Sequence, residues 1–259
     1  MTIPRVLVIA GSDSSGGAGI QADIKTVMAF RGHAMTAITA ITAQNTLGVT
    51  GVVTLEPAMV VAQIDSVLSD IGADAIKIGM IGSPAIAEAV ADRLSAADAR
   101  LPLVFDPVMV ATSGAVLADA RTIVAFERLM QLATLITPNL PELAVLSPDG
   151  AGALARRTGA AVLAKGGHGE GDLLLDALFG PDGAREEWTD PRIETRHTHG
   201  TGCTLASAIA AGLAYGDDLS TAVAAARRYV RAAIEAAPGL GQGSGPLGHA
   251  EAAWIGVRG

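Results

Sequence analysis

Cysteine, aromatic residues and lysine are all scarce in this chain of 259 residues. The one cysteine, Cys203, excludes an internal disulfide and fits a reducing compartment. Aromatic residues make up 3% of the sequence, so the core must be built from aliphatic side chains. Lysine stands only at Lys25, Lys77 and Lys165, and the formal net charge is −8. This balance argues against nucleic acid or an anionic membrane as a partner through bulk charge.

Long uninterrupted apolar runs are also missing, although half of the residues are apolar. No run reaches the length of a membrane-spanning helix without a charge or a glycine. The run 6–10 is too short for the core of a signal peptide and meets Gly-Ser-Asp at once. We therefore expect a soluble, cytoplasmic protein. The length suits a single α/β domain over residues 1–259, with a loose glycine-rich tail from about residue 238.

Short apolar runs alternate with amphipathic segments along most of the chain. The runs predict strands at 6–10, 33–45, 52–55, 75–81, 101–105, 133–137 and 161–164, followed by closing antiparallel strands at 173–179, 186–188 and 193–197. Helices are predicted at 20–30, from Pro57, from Pro84, and over 119–132, 150–158, 201–215 and 218–236. This alternation with short loops predicts a mostly parallel central sheet with helices on both faces.

The turn Gly200-Thr201-Gly202-Cys203 connects an extended segment to an apolar helix. Glycines there let the backbone bend tightly, and a helix N-terminus favours a bound anion. A thiol at a helix N-terminus is expected to have a lowered pKa, so Cys203 is a candidate base or nucleophile. A plain glycine turn with a small buried cysteine explains the local pattern equally well.

Several polar side chains follow directly after predicted strands, where an open α/β sheet binds ligands. These residues, together with Asp23 on the first helix, are Asp13, Gln44, Asp106, Asn139, Glu142, Lys165 and Cys203. Asp106 and Glu142 suit a magnesium ion that keeps waters and binds phosphates. Asn139 can orient such waters, and Lys165 can place a charge on a nucleotide phosphate. Asp23 and Gln44 suit the edge of a polar heterocycle. Each residue alone is also ordinary turn or surface chemistry.

The first glycine-rich turn, Gly11 to Gly19, does not match a known phosphate-binding pattern. It lacks the Lys-Ser or Lys-Thr of a Walker A loop and the spacing of a dinucleotide fingerprint. It still suits backbone contacts to a small polar molecule. The histidines at 168, 197 and 199 show no metal-ligand spacing, so we interpret them as polar loop residues that face a nucleotide.

Seven motifs in colinear order carry a resemblance to a known family. They are Ala10-Gly-Ser-Asp-Ser-Ser-Gly-Gly-Ala-Gly-Ile-Gln-Ala-Asp23, Thr42-Ala-Gln-Asn45, Lys77-Ile-Gly-Met80, Asp106-Pro-Val-Met-Val110, Thr137-Pro-Asn-Leu-Pro-Glu142, Lys165-Gly-Gly-His168 and His199-Gly-Thr-Gly-Cys203. From about residue 5 to 237 the chain resembles the bacterial hydroxymethylpyrimidine/phosphomethylpyrimidine kinases of thiamine biosynthesis, within the ribokinase-like superfamily. The resemblance implies a ribokinase-like three-layer α/β fold.

The resemblance also implies an activity and a site. The family uses ATP and Mg²⁺ to phosphorylate 4-amino-5-hydroxymethyl-2-methylpyrimidine and then its monophosphate. The pyrimidine pocket would be lined by Gly11, Asp23, Gln44, Met80 and Val108. Cys203 would be the catalytic base, and the anion hole would consist of Gly200, Thr201 and Gly202. Asp106 and Glu142 would handle the metal, and Lys165 and Asn139 would serve the nucleotide phosphates. A homodimer is also implied.

One position departs from the family pattern. Thr112 stands where the family usually has lysine, so the second phosphorylation is expected to be the weaker step. Pyridoxal kinase activity is the alternative within the superfamily. An acyl-transfer or redox enzyme that uses Cys203 as a nucleophile lacks a partner base and a second cysteine. A non-catalytic pyrimidine-binding protein would be expected to lack Asp106, Glu142 or Cys203, and all three are present.

Overall fold

The computed structural model describes residues 3–96, 100–111, 114–168 and 171–252, and within them nine strands form one sheet. The strands are β1 (Arg5–Asp13), β2 (His33–Asn45), β3 (Gly48–Thr54), β4 (Ala75–Ile78), β5 (Leu103–Phe105), β6 (Leu135–Ile136), β7 (Ala161–Ala164), β8 (Leu173–Phe179) and β9 (Arg185–Pro191). The helices are α1 (Gly19–Ala29), α2 (Pro57–Asp70), α3 (Pro84–Ser95), α4 (Ala120–Leu132), α5 (Leu140–Leu146), α6 (Ala151–Thr158), α7 (Thr201–Ala214), α8 (Leu219–Glu235) and α9 (His249–Ala252).

The sheet has the order β3-β2-β1-β4-β5-β6-β7-β8-β9. Strands β2, β1, β4, β5, β6 and β7 run parallel, whereas β3, β8 and β9 pair with their neighbours in antiparallel fashion. The prediction of a mostly parallel sheet is confirmed. Strand order reverses between β1 and β4, because the chain moves to β2 on one side and then crosses to β4 on the other. The carboxyl ends of strands at such a reversal leave a crevice that can bind a ligand.

Both faces of the sheet are covered, as expected. Along β1, Leu7 and Ile9 enter one core, which includes residues of α2, α3, α4 and α6. Val6 and Val8 enter the other, which includes residues of α1, α7 and α8. Alternate residues of a strand point to opposite faces, so a continuous apolar run is the pattern of a strand buried on both sides. Among the described residues, none of the helices is long and apolar enough to cross a membrane.

Helix α5 was missed by the sequence analysis, which treated this segment as a turn after the strand. Its N-terminus is a capping box: Asn139 Oδ1 accepts from the backbone N–H of Glu142, and Glu142 Oε2 accepts from that of Asn139. Pro141 lies in the first turn, where a missing N–H costs nothing. The Asn-x-x-Glu signal was present in the sequence, and it marks a helix start.

The predicted strand at 193–197 and the predicted loose tail are both wrong. Residues 193–197 form irregular structure after β9. The chain from 238 to 248 packs against the turn after β2, where the backbone N–H of Ser244 donates to the carbonyl of Thr46 at 3.0 Å. A Cβ on Gly243 would lie 2.1 Å from the Thr46 oxygen, so the glycines of this segment permit close contact rather than looseness. Leu247 is buried in the core beside α7 and α8.

Candidate active site

A cleft of about 700 Å³ opens where the carboxyl ends of the parallel strands meet the N-terminus of α7. It is lined by nearly all of the predicted site residues, namely Gly11, Gln44, Met80, Asp106, Val108, Asn139, Glu142, Lys165, Gly200, Thr201, Gly202 and Cys203. These residues come from the ends of β1, β2, β4, β5, β6 and β7 and from the starts of two helices, α5 and α7. The sheet topology therefore brings together residues that lie up to 192 positions apart in the sequence.

The predicted anion-binding turn, Gly200 to Cys203, has the tightly bent backbone that its glycines indicated. Gly200 is the N-cap of α7 with φ of +89°, which favours glycine over any other residue. A Cβ at this position would also lie 1.9 Å from the carbonyl oxygen of Gly17, so the turn is pressed against the first loop. Thr201, Gly202 and Cys203 form the first helical turn and line the cleft. Their backbone N–H groups and the helix dipole favour an anion there.

Cys203 lies at this turn, but the expected lowering of its pKa is not found. Burial raises the pKa of the Cys203 thiol to about 11, although the Lys77 ammonium and the backbone N–H of Gly19 act in the opposite direction. Desolvation therefore outweighs the helix N-terminus. The thiol is the protonated form at neutral pH.

The end of the cleft next to this turn contains a close ion pair. Lys165 Nζ lies 2.8 Å from Asp106 Oδ1, which also accepts from Thr137 Oγ1 at 3.0 Å. Burial alone would raise the pKa of Asp106, but the lysines at 165 and 77 lower it below its usual value. A Cβ on Gly202 would lie 3.4 Å from both Asp106 Oδ2 and Lys165 Nζ. The ion pair thus adjoins the anion-binding turn.

Glu142 and Asn139 have a structural role besides the one predicted for them. Their capping box begins α5 and places both at the cleft. Burial raises the pKa of Glu142, and the nearby Asp106 carboxylate adds to this, while Lys165 acts against it. In the described ranges no three His, Cys, Asp or Glu side chains cluster as metal ligands. Two carboxylates fit Mg²⁺, which completes its shell with waters and substrate phosphate oxygens.

The wall of the cleft that was predicted to bind a pyrimidine is tightly packed. A Cβ on Gly11 would lie 2.9 Å from the sulfur of Met80, so a glycine is needed where β1 passes β4. Gln44 stands at a bulge of β2, where the pairing with β3 shifts register. Its backbone N–H donates to Ser14 Oγ at 2.8 Å, which ties β2 to the first loop. Gly11, Gln44, Met80 and Val108 all line this part of the cleft.

Asp23 is a correction to the sequence analysis, because the structure does not bring it to the cleft. Its side chain is 0% exposed, and both carboxylate oxygens lie 3.0 Å from Lys77 Nζ. Ser207 Oγ of α7 also donates to Asp23 Oδ1 at 2.6 Å. Burial alone would lower the pKa of Lys77, but the neighbouring Asp23 carboxylate raises it above its usual value. The pair therefore joins α1, β4 and α7 beneath the site.

The sequence placed Asp13 at this edge of the sheet without a role, but it did not indicate that Lys77 and His199 are buried beside it. A lysine inside the apolar run Ala75–Ile81 was the available signal, since a buried charge must be paired. His199 was expected to face a nucleotide, but it is buried between Asp13 and Gln44. The position of His199 in the sequence could not show that it packs between these two side chains. Thr112 and Ser113 lie outside the described residues.

The far end of the cleft lies between α8 and the β8–β9 hairpin. Arg227 of α8 forms ion pairs with Asp176 of β8 at 2.7 Å and with Asp190 of β9 at 2.6 Å. All three residues line the cleft. This end was not anticipated from the sequence, because neither the hairpin nor α8 carries a recognisable motif.

Comparison with known proteins places this architecture in a class. The chain matches the sequence profile of phosphomethylpyrimidine kinase over residues 13–248. It is 49% identical to a hydroxymethylpyrimidine/phosphomethylpyrimidine kinase of Streptomyces coelicolor, over 96% of this chain and 95% of that protein. Among solved structures, pyridoxal kinase from Staphylococcus aureus in complex with pyridoxal superposes with a TM-score of 0.87 and 32% identity, over 97% of this chain and 95% of that one.

A phosphomethylpyrimidine kinase from Clostridium difficile superposes with a TM-score of 0.77 and 36% identity, over 90% of this chain and all of that one. The fold and the cleft therefore define a ribokinase-like α/β kinase. The chain belongs to the phosphomethylpyrimidine kinase family.

Proposed function

We propose that this protein transfers the γ-phosphoryl group of ATP to 4-amino-5-hydroxymethyl-2-methylpyrimidine and then phosphorylates the monophosphate to the diphosphate, as a step of thiamine biosynthesis. The observation that carries this proposal is the single cleft that combines an anion-binding helix turn with two carboxylates and a lysine at one end and a small tight pocket at the other. Membership of the family supports the same activity.

In this proposal the pyrimidine ring occupies the pocket of Gly11, Gln44, Met80 and Val108. Its hydroxymethyl oxygen then approaches Cys203, and the transferring phosphoryl group meets the first turn of α7. Backbone N–H groups at a helix start stabilise the charge that such a group carries in the transition state. The nucleoside of ATP takes the far end of the cleft, between α8 and the β8–β9 hairpin.

In this proposal charged side chains bind and position the phosphates of ATP. Lys165 neutralises a phosphate oxygen while its bond to Asp106 fixes the position of its ammonium group. Asp106 and Glu142 would hold Mg²⁺, which supplies positive charge between the phosphate oxygens when it is bound. Asn139 supports this arrangement because its side chain caps α5 and so sets the position of Glu142.

Cys203 is proposed as the base that takes the proton of the hydroxymethyl group. A thiol with a pKa of about 11 is mostly protonated at neutral pH. The active form of the free enzyme then becomes more abundant as pH rises. Cys203→Ser replaces the thiol with a hydroxyl of similar size, which is a much weaker base. We expect this variant to fold and bind ATP normally and to lose most of its turnover; wild-type turnover would remove Cys203 from the mechanism.

Pyridoxal kinase activity is the second candidate, favoured by the similarity to pyridoxal kinase structures. A third outcome is that only the first phosphorylation occurs, for which the threonine at position 112 is the reason given by the sequence. The two pyrimidine steps and the pyridoxal reaction give products of different mass.

The experiment incubates the purified protein with ATP and Mg²⁺ and, separately, hydroxymethylpyrimidine, its monophosphate and pyridoxal. Mono- and diphosphate from the pyrimidines are the expected result. Monophosphate alone would limit the enzyme to the first step, and product from pyridoxal alone would overturn the proposed substrate.

We also propose that the protein acts in the cytoplasm as a homodimer. Strand β3 at the edge of the sheet exposes apolar side chains, of which Val53 is 67% exposed, and a second copy would cover them. Light scattering after gel filtration tests this, and a mass of one chain would refute the dimer.

A further inference from the structure

His199 directly precedes the anion-binding turn, yet its side chain lies behind the proposed pyrimidine end of the cleft, against Asp13 and Gln44, which line the cleft. The residue is 4% exposed. Its Nε2 lies 2.9 Å from Asp13 Oδ2 and 3.3 Å from Gln44 Nε2. The first loop packs against the ring, because a Cβ on Gly17 would lie 2.4 Å from His199 Cδ2. The imidazole therefore has little freedom to turn.

The proton between His199 and Asp13 belongs to the histidine. Asp13 accepts from Ser15 Oγ and from the backbone N–H groups of Gly17 and Ala18. Burial alone would raise the pKa of Asp13, but His199 and these donors lower it to about 2, so the side chain is a carboxylate. A carboxylate only accepts, and therefore His199 Nε2 carries the hydrogen. This holds for the neutral and for the charged imidazole.

In this orientation, each end of the Gln44 amide faces a group with which it cannot form a hydrogen bond. Its Nε2 is directed at a ring nitrogen that already bears a proton. Its Oε1 lies 3.2 Å from Thr42 Oγ1, whose one proton is donated to the carbonyl of Ser12 at 2.9 Å. A half-turn of the amide exchanges oxygen and nitrogen without changing the shape of the side chain. Oε1 then shares the Nε2–H of His199 with Asp13 Oδ2 in a three-centre hydrogen bond, and Nε2 donates to Thr42.

We propose that His199 is a positioning residue that fixes the Gln44 amide with its oxygen towards the imidazole and thereby sets the ring specificity of the pocket. This inference rests on the proposed function and deepens it. One N–H of Gln44 and one lone pair of its oxygen are left for the substrate. This donor and acceptor match the edge of a 4-aminopyrimidine, where the exocyclic amine donates and the adjacent ring nitrogen accepts.

Pyridoxal offers a different edge beside its hydroxymethyl carbon. An aldehyde, which only accepts, takes the place of the amine, and a phenolic carbon takes the place of the ring nitrogen. The Gln44 oxygen would therefore face another acceptor. Loss of His199 should weaken binding of the aminopyrimidine and leave binding of pyridoxal unchanged or improved. The preference of the enzyme for the aminopyrimidine, measured as the ratio of the two affinities, should therefore fall.

The test is a double-mutant cycle of His199→Met with Gln44→Ala, with thermal unfolding as the check on folding. We expect His199→Met to raise the KM for hydroxymethylpyrimidine about tenfold, the effect of one hydrogen bond in a closed pocket. The kcat and the KM for ATP should change less than about twofold. His199→Gln, whose amide N–H reaches the same place, should recover most of the loss. In the Gln44→Ala background His199→Met should have little further effect.

Two results would overturn the inference. One is an equal effect of His199→Met with and without Gln44. The other is a fall in kcat at unchanged KM, which would show that His199 acts on the anion-binding turn. If His199→Met does not fold, Gln44→Glu takes its place. Its carboxylate accepts from His199 but cannot donate to Thr42 or to the ring nitrogen, so unchanged aminopyrimidine binding would refute the proposal.

Failure of the proposed function would be distinguishable from failure of this inference about His199 and Gln44. Calorimetric binding of hydroxymethylpyrimidine without ATP gives the same coupling between His199 and Gln44 when no phosphorylation occurs. A wild-type protein that binds the pyrimidine but transfers no phosphate would refute only the activity. A protein that binds no aminopyrimidine would refute both.

Discussion

Replacement of Lys77 by methionine should destabilise the protein strongly, because it leaves a buried carboxylate without its partner. Lys77 and Asp23 are both 0% exposed, and the ammonium lies 3.0 Å from each carboxylate oxygen. Methionine fills much of the same volume, so the perturbation is mainly the loss of the charge. Among the described residues, Ser207 Oγ remains as a side-chain donor to Asp23, at 2.6 Å, and a neutral hydroxyl does not balance a charge.

The magnitude follows from the cost of breaking a buried ion pair on one side. That cost is about 3–5 kcal/mol, and for a domain of this size each kcal/mol lowers Tm by roughly 2–4 °C. Thermal unfolding at pH 7 should therefore show a fall of about 6–20 °C. Lys25→Met is the matched control: Lys25 is exposed, and its loss should cost about 0.5 kcal/mol or less.

The pH dependence of this stability loss tests whether the unpaired Asp23 carboxylate causes it. Burial raises the pKa of Asp23 even beside Lys77, and loss of the Lys77 ammonium should raise it further, so the native state of the variant binds more protons. The loss of stability of Lys77→Met relative to the wild-type protein should then shrink as pH falls towards 4 and grow as pH rises to 8. Adding Asp23→Asn to Lys77→Met should recover part of the stability at pH 7. A fall in Tm no larger than that of Lys25→Met, or a deficit independent of pH, would refute this reasoning.

Three further predictions concern the cleft. The one thiol can be titrated directly: alkylation of Cys203 by iodoacetamide should accelerate up to a pH near 11, and a midpoint below 8 would contradict the effect of burial. Gly17→Ala should raise the KM for the pyrimidine and lower Tm, because the new methyl group would lie 2.4 Å from His199 Cδ2; wild-type values for both would contradict the close packing. Asp13→Asn should cost about 2 kcal/mol at neutral pH. Because the folded pKa of Asp13 is lowered to about 2, this difference should disappear as pH falls from 4 to 2, and urea titrations at several pH values measure it.

Local sequence patterns were sufficient for most of the fold. Strands β1, β4, β5, β6 and β7 are short apolar runs, and they are buried on both faces as such runs require. Helix α7 begins after the glycine turn as expected. The errors arose where a segment depends on partners far away in the chain. The tail around Gly243 resembles a flexible linker in composition, yet its glycines permit close contact with the turn at Thr46.

By itself the sequence determined the α/β class, the parallel order of the strands and the edge of the sheet at which polar side chains collect. These follow from apolar periodicity and from the rule that ligands bind beyond the carboxyl ends of strands. Only the tertiary structure decided which of those side chains face the cleft. Asp23 and Gln44 are equally polar in the sequence, but α1 turns Asp23 towards Lys77 in the core, while the bulge in β2 places Gln44 at the cleft. The direction predicted for the pKa of Cys203 was wrong, because that pKa depends on how strongly the packed helices and strands desolvate the thiol.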